Sequence, residues 1–136
     1  MKHPVFTGSG VAVITPFTND GVDLPALERL VDHQISSGTD AIVVCGTTGE
    51  AATMTYSERM STIETVVRRV DGRVPVIAGT GANNTQTAIT LGRDAVRAGA
   101  DALLVVTPFY NKATQRGLVR HYEAVADQAD RPVILY

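Results

Sequence analysis

The chain contains no tryptophan, a single cysteine, three histidines and no large excess of either charge. Each scarcity removes a class of function. A lone Cys45 cannot form an internal disulfide, so the expected compartment is a reducing cytoplasm. Scattered His3, His33 and His121 do not make a histidine-rich metal site, and neither a metal nor a cofactor is expected. Twelve basic residues against fourteen acidic ones, a net charge of −2, provide no basic face for nucleic acid. The apolar runs fall well short of the ~18 residues that a membrane span requires. Met1-Lys2-His3-Pro4 leads into Val5-Phe6-Thr7-Gly8 without the apolar core of a secretory signal. What remains is a soluble globular composition, 136 residues with 44% hydrophobic and 19% charged, enough for one core over residues 1–136.

The most informative stretch is Ile42-Val43-Val44-Cys45-Gly46-Thr47-Thr48-Gly49-Glu50. An apolar, β-branched run stops at a glycine, followed by two hydroxyls, a second glycine and an acid. In an α/β protein this is a buried strand delivering two threonines to the carboxyl edge of a sheet, where ligands bind. The flanking glycines let the backbone turn and bring N–H groups against a small anion.

Strands and helices alternate along the chain. Gly10–Pro16 reads as a first strand, followed by a turn at Thr18-Asn19-Asp20-Gly21. Asp23 is the expected N-cap of a helix striped by Leu27, Leu30, Val31 and Ile35 and closed at Gly38. Ala41–Cys45 is a second strand. Thr55 and Glu58 form a capping-box pattern that opens a second helix, with Met60, Ile63, Val66 and Val67 inward. Pro75–Gly79, Ala102–Val106 and Pro132–Tyr136 are further strands. Between them lie a helix over Thr85–Ala98 and one striped by Leu118, Tyr122 and Val125. Gly38-Thr39-Asp40-Ala41-Ile42-Val43-Val44 echoes Gly99-Ala100-Asp101-Ala102-Leu103-Leu104-Val105, a repeat of equivalent βα units. Uniformly apolar strands imply a parallel sheet covered on both faces or closed into a barrel. Spacing alone permits a complete doubly wound sheet or the first part of a (β/α)8 barrel. Ending on an apolar strand with no helix to cover it weighs against the former.

Four loops leave strand carboxyl ends: Thr15-Pro16-Phe17, Gly46 to Glu50, Gly79-Thr80-Gly81-Ala82-Asn83 and Thr107-Pro108-Phe109-Tyr110-Asn111, with Tyr136 at a fifth. Converging hydroxyls can bind a carboxylate and pass protons. No histidine lies at these ends, which argues against Ser-His-Asp and Cys-His hydrolases. Each residue also has a plainer reading. Thr47 and Thr48 can simply close a turn, Tyr110 can be a half-buried aromatic, and Cys45 packs as a small hydrophobe. His33 and His121 are expected on solvated helix faces, and Glu50 as a helix-start acid or hydrogen-bond partner. Gly79-Thr80-Gly81 is a weak phosphate-cradle signal without a third glycine.

Gly46-Thr47-Thr48-Gly49-Glu50, Ala78-Gly79-Thr80-Gly81-Ala82-Asn83 and Thr107-Pro108-Phe109-Tyr110-Asn111-Lys112, in that order, resemble the dihydrodipicolinate synthase family. The resemblance runs from Phe6-Thr7-Gly8 to Leu135-Tyr136. It implies the N-terminal (βα)4β5 portion of a TIM (β/α)8 barrel. It also implies a cytoplasmic lyase of lysine and diaminopimelate biosynthesis, homotetrameric when full-length. Its substrates would be pyruvate and aspartate 4-semialdehyde, joined by a Schiff-base mechanism without a cofactor. By the same resemblance Thr48 holds the pyruvate carboxylate, and Tyr136, Thr47 and Tyr110 relay protons, Tyr110 reaching into a neighbouring subunit's site.

The resemblance also sets expectations of absence. The Schiff-base lysine belongs to a sixth strand beyond Tyr136, and Lys2 and Lys112 do not replace it, so the chain is expected to be a truncation, inactive alone. Phe109 stands where many relatives have tyrosine. Thr87 replaces an acid of the feedback-lysine site, while Tyr56 and Arg59 occupy places often held by histidines and Asn83 is kept. Weak or absent lysine inhibition is therefore expected. Two rival readings remain: a related pyruvate-dependent sugar-acid aldolase, whose sialic-acid members usually carry serine at the position of Thr47, and a five-stranded domain that binds a small anion without catalysis. Strand order separates the last from a half-barrel.

Overall fold

The computed structural model describes residues 4–136. Its central sheet has five parallel strands, β1 (Gly10–Ala12), β4 (Ala41–Val44), β5 (Val76–Gly79), β6 (Ala102–Val105) and β7 (Val133–Leu135), side by side in chain order. Sequential order is the signature of a barrel in the making, since a doubly wound sheet would place its first strand inside. Four helices link the strands: α1 (Leu24–Ser36), α2 (Tyr56–Val70), α3 (Thr85–Arg97) and α4 (Gln115–Ala126). A short antiparallel hairpin, β2 (Phe17–Thr18) with β3 (Gly21–Val22), occupies the segment read as a turn.

The helices begin where side chains can satisfy free N–H groups. Asp23, Asn84 and Thr114 accept from the backbones of Ala26, Thr87 and Gly117 respectively. Thr55 and Glu58 complete the expected reciprocal box, the Thr55 N–H donating to Glu58 Oε2 at 2.8 Å and the Glu58 N–H to Thr55 Oγ1 at 3.3 Å.

Alternation along the strands sorts the core into two layers. Ile42, Val44, Val76, Ala78, Leu103 and Val105 face the helices and meet Leu27, Val31, Ile63 and Val66. Ile42 and Leu103 are fully buried, each worth about 1.5–3 kcal/mol against exposure. Ala41, Ile77 and Ala102 lie on the other face, with Val43, Leu104 and Ile134 beside them and Phe6 folded against them. This second face is the one that a closed barrel turns inward.

Two expectations require correction. The first strand pairs only over Gly10–Ala12, with one further bond from the Val13 N–H to Val43 O, not through Pro16. Its neighbour leaves the sheet at Cys45, whose φ of 55° is left-handed, so the residues after Val13 lose their partner. His121 is only 6% exposed, not on a solvated face. The face that α4 buries includes His121 between Leu118 and Val125. Its Nδ1 lies 2.9 Å from Thr85 Oγ1, which ties α4 to the start of α3. Burial moves its pKa below the ordinary histidine value.

Candidate active site

All the loops singled out in the sequence leave the carboxyl edge of the sheet. The loop after β4 is held by its own turns and by its neighbour. The Gly49 N–H donates to Gly46 O and the Glu50 N–H to Thr47 O, while the buried Thr15 hydroxyl donates to Gly49 O at 2.7 Å. Cys45 and Glu50 take left-handed φ values of 55° and 57° at the two ends of this loop. Such conformations cost a non-glycine residue about 1 kcal/mol or more, and they concentrate where a loop must present side chains. Thr47 and Thr48 are the side chains presented, both exposed.

Glu50 makes no side-chain cap; it precedes a single 3-10 turn at Ala51–Thr53. Cys45 is 1% exposed and its thiol is pushed up to about 12, mainly by burial, in keeping with the packing reading. The Gly-Thr-Gly of the next loop has a steric reason. A Cβ on Gly79 would stand 2.0 Å from Cys45 O, and one on Gly81 would stand 2.4 Å from the Val106 nitrogen. These glycines let strand ends approach, and the phosphate-cradle reading is not needed to explain them.

A cleft of about 560 Å³ opens between these loops, with Gly46, Thr47, Glu50, Leu104, Phe109 and Tyr136 among its walls. It joins Thr47, after β4, to Tyr136, after β7, with the ends of two strands between them. Thr48, although adjacent, is not part of its wall, and Tyr110 stands apart, 95% exposed with a φ of 72°. The half-buried aromatic reading of Tyr110 is thus overturned. Its ring is free of the chain that carries it. Lys112 lies on the same loop, exposed and away from the cleft, and Lys2 lies outside the described residues.

Two further residues, one in the cleft wall and one behind Tyr136, were not evident as such from sequence. Arg59, on α2, lines it and donates from Nη2 to Gly79 O at 2.7 Å and to Gly81 O at 3.3 Å. Desolvation lowers its pKa from the usual arginine value. Tyr122, read only as part of a helical stripe, sends its hydroxyl to within 3.2 Å of Tyr136 O. A helix-period pattern shows that such a residue is inward but not what its polar tip meets. Among the described residues no cluster of three His, Cys, Asp or Glu is placed to hold a metal ion, and no helix is long and apolar enough to cross a membrane.

Sequential parallel strands, helices on the outer face and hydroxyls gathered at the carboxyl edge define the N-terminal (βα)4β5 portion of a TIM-type barrel. The chain belongs to the dihydrodipicolinate synthetase family, whose model matches residues 5–136. It is 58% identical over 132 residues to 4-hydroxy-tetrahydrodipicolinate synthase of Geobacter sulfurreducens, covering 97% of this chain and 46% of that protein. Dihydrodipicolinate synthase from Aquifex aeolicus superposes with a TM-score of 0.94 at 52% identity, over 96% of this chain and 45% of that one. The chloride-inhibited dihydrodipicolinate synthase from Acinetobacter baumannii, solved with pyruvate, gives a TM-score of 0.92 at 51% identity, over 95% and 45% of the two chains. The chain therefore spans about half the length of the relatives it matches.

Proposed function

We propose that these residues form the carboxylate-binding and proton-relaying half of a 4-hydroxy-tetrahydrodipicolinate synthase. The observation that carries this is the cleft that joins Thr47 and Tyr136 at the carboxyl edge of a family barrel. Hydroxyls in a largely apolar cleft suit proton transfer around a forming carbinolamine better than they suit hydrolysis, because no histidine lines the cleft to turn one of them into a nucleophile.

In this reading pyruvate condenses with a lysine amine carried by a sixth barrel strand, losing water to give an imine. Thr48 holds the carboxylate through its hydroxyl and its own backbone N–H. Tyr136 donates and recovers the protons of carbinolamine formation and dehydration, with Thr47 beside it in the relay. The imine loses a methyl proton to become an enamine, whose carbon attacks the aldehyde of aspartate 4-semialdehyde. Tyr110, exposed on its own chain, completes the relay of a neighbouring subunit in a cytoplasmic homotetramer. Neither Lys2 nor Lys112 supplies the amine, so the chain alone forms no imine. The pyruvate bound by the Acinetobacter relative supports the choice of ketoacid.

The test uses a full-length barrel carrying these 136 residues. Borohydride with pyruvate traps a covalent adduct there and leaves the isolated chain unmodified. Tyr136→Phe lowers kcat by about 10²-fold or more with adduct formation slowed, whereas Thr48→Val mainly raises KM for pyruvate, by about tenfold. Turnover of a sugar acid in preference to aspartate 4-semialdehyde would overturn the substrate assignment.

A further inference from the structure

The carbonyl oxygen of Tyr136 receives two hydrogen bonds from one residue. The Thr107 N–H donates to it at 2.8 Å and the Thr107 hydroxyl also donates to it at 2.8 Å. The first is a rung of the parallel ladder between β6 and β7, following the bond from the Tyr136 N–H to Val105 O at 3.0 Å. Any residue other than proline at position 107 would supply it. The second needs a hydroxyl. Position 108 is proline, which has no N–H to give, so Thr107 is the last ladder donor before the loop. Its side chain doubles the final rung at the point where the sheet stops and the cleft begins.

Tyr122 closes the arrangement from α4. Its hydroxyl lies 3.2 Å from Tyr136 O, 3.3 Å from Val105 O and 3.4 Å from Thr107 Oγ1. Those distances exceed the usual O–H···O range of about 2.5–3.0 Å, whereas the Thr107 bond sits within it. Thr107 is the strong member and Tyr122 the supporting wall. With the Thr107 N–H and hydroxyl both donating to it, the carbonyl oxygen of Tyr136 has both of its acceptor positions engaged by one residue.

We propose that Thr107 is a positioning residue for Tyr136. Its hydroxyl sets the orientation of the backbone from which the phenol projects into the cleft, and so the phenol's distance from the reacting carbon. The proposal rests on the reading of Tyr136 as the proton-transferring tyrosine. The anchor acts on the backbone that carries the phenol, at the point where the strand gives way to the cleft. Productive geometry tolerates only about 0.5 Å of misplacement.

The test compares Thr107→Val with Thr107→Ser in a full-length barrel carrying these residues, at a temperature well below the melting point of either. Thr107→Val keeps the shape and the N–H but removes the donor. It lowers kcat about tenfold and leaves KM for pyruvate within about twofold, because the carboxylate site is untouched. Thr107→Ser keeps the donor and stays within about twofold in both parameters. Equal losses in the two variants, or a rise in KM without a fall in kcat, would overturn the proposal. A second readout is independent of the reaction. The ring ¹³C resonances of Tyr136, assigned with Tyr136→Phe, move in Thr107→Val and return in Thr107→Ser. Unmoved resonances refute the positioning role, whereas moved resonances in a barrel that traps no pyruvate refute the reaction assignment alone.

Discussion

Gly79 stands so close to Cys45 that a Cβ on the glycine would lie 2.0 Å from the Cys45 carbonyl oxygen and 2.5 Å from its carbon. The contact joins the ends of β4 and β5 just beneath the cleft. It involves backbone on both sides, so no flexible side chain can swing away to relieve it. Cys45 is itself in a left-handed conformation, which turns the chain toward Thr47. Gly79→Ala is therefore expected to cost about 3 kcal/mol, the upper part of the range for overpacking. It should also displace the Gly46–Glu50 loop. Chemical denaturation compared with Gly38→Ala checks it, since a Cβ at Gly38 meets nothing within 4 Å, although its φ of 90° adds backbone strain of its own. A smaller loss at Gly79 than at Gly38 would show that the strand ends have room to part.

Cys45 provides a chemical probe of the same region. Its thiol is buried against α2, with Sγ 3.8 Å from Arg59 O, and its pKa is pushed up to about 12. The reactive species toward disulfide reagents is the thiolate, so at pH 8 the folded protein should react orders of magnitude more slowly than the chain in denaturant. Rapid labelling of the native state would mean that the Gly46–Glu50 loop opens readily.

Acid should loosen the packing of α1 on α2. Asp32 accepts hydrogen bonds from Arg69 and Arg73, and these, chiefly the first, hold its carboxyl below the usual range. Glu58 is held low by the Thr55 backbone and hydroxyl. For a depressed carboxyl the stabilisation is present above its unfolded value and is lost as pH falls through the folded one. Melting temperatures measured from about pH 6 downward should fall through the carboxylate range. Asp32→Asn should be less stable at the upper end and show a flatter decline. Both groups lie at the surface, so the effect is modest and weakens with salt. A profile for Asp32→Asn parallel to that of the unsubstituted protein would remove these ion pairs from the account.

Much of this architecture was legible in the sequence because it rests on local chemistry. The capping box at Thr55 and Glu58, the N-cap at Asp23 and the apolar strands each declare themselves within a few residues. Strand order did not, since period alone fits a doubly wound sheet as well as a half-barrel; the motif resemblance separated them. His121 was misplaced because three stripe residues define a helix face too narrowly, and the bond to Thr85 spans 36 positions. The site was legible as loops but not as contacts. Nothing near Thr107 or Tyr122 in sequence indicates that both hydroxyls meet at Tyr136 O, and nothing near Arg59 shows that its guanidinium binds the carbonyls of Gly79 and Gly81.

The side chains at the expected feedback-lysine positions are already occupied within the chain. Tyr56 donates its hydroxyl to Asp94 at 2.6 Å, and Arg59 is committed to two carbonyls in the wall of the cleft. A guanidinium there repels a second cation, and Thr87 offers no carboxylate to compensate for it. A full-length barrel carrying these residues should keep most of its activity at millimolar lysine. Half-inhibition below one millimolar, on the order of the affinity that a 4 kcal/mol site provides, would refute this. Arg59→His alone should not restore tight inhibition, because the missing acid at position 87 remains.

The isolated chain should not remain a monomer. Its sheet has β1 at one edge and β7 at the other, and neither edge has a further strand beside it among the described residues. Unpaired N–H and C=O groups along such edges template pairing with another chain. Apolar side chains accompany them: Ile14 is 55% exposed and Leu135 62% exposed, close to the two edges. The face of Ala41, Ile77 and Ala102 is already buried, under Val5 and Phe6 among others, so the exposed apolar area lies at the edges. Gathering these surfaces between two copies removes them from water at about 25 cal/mol per Å², which favours association well before precipitation. Sedimentation of residues 1–136 should therefore show dimers or larger species that grow with concentration. Adding a polypeptide that supplies the remaining strands of a family barrel should convert them into a complex of one copy of each. A sharp monomeric boundary with cooperative unfolding would mean that five strands and four helices suffice for a closed core.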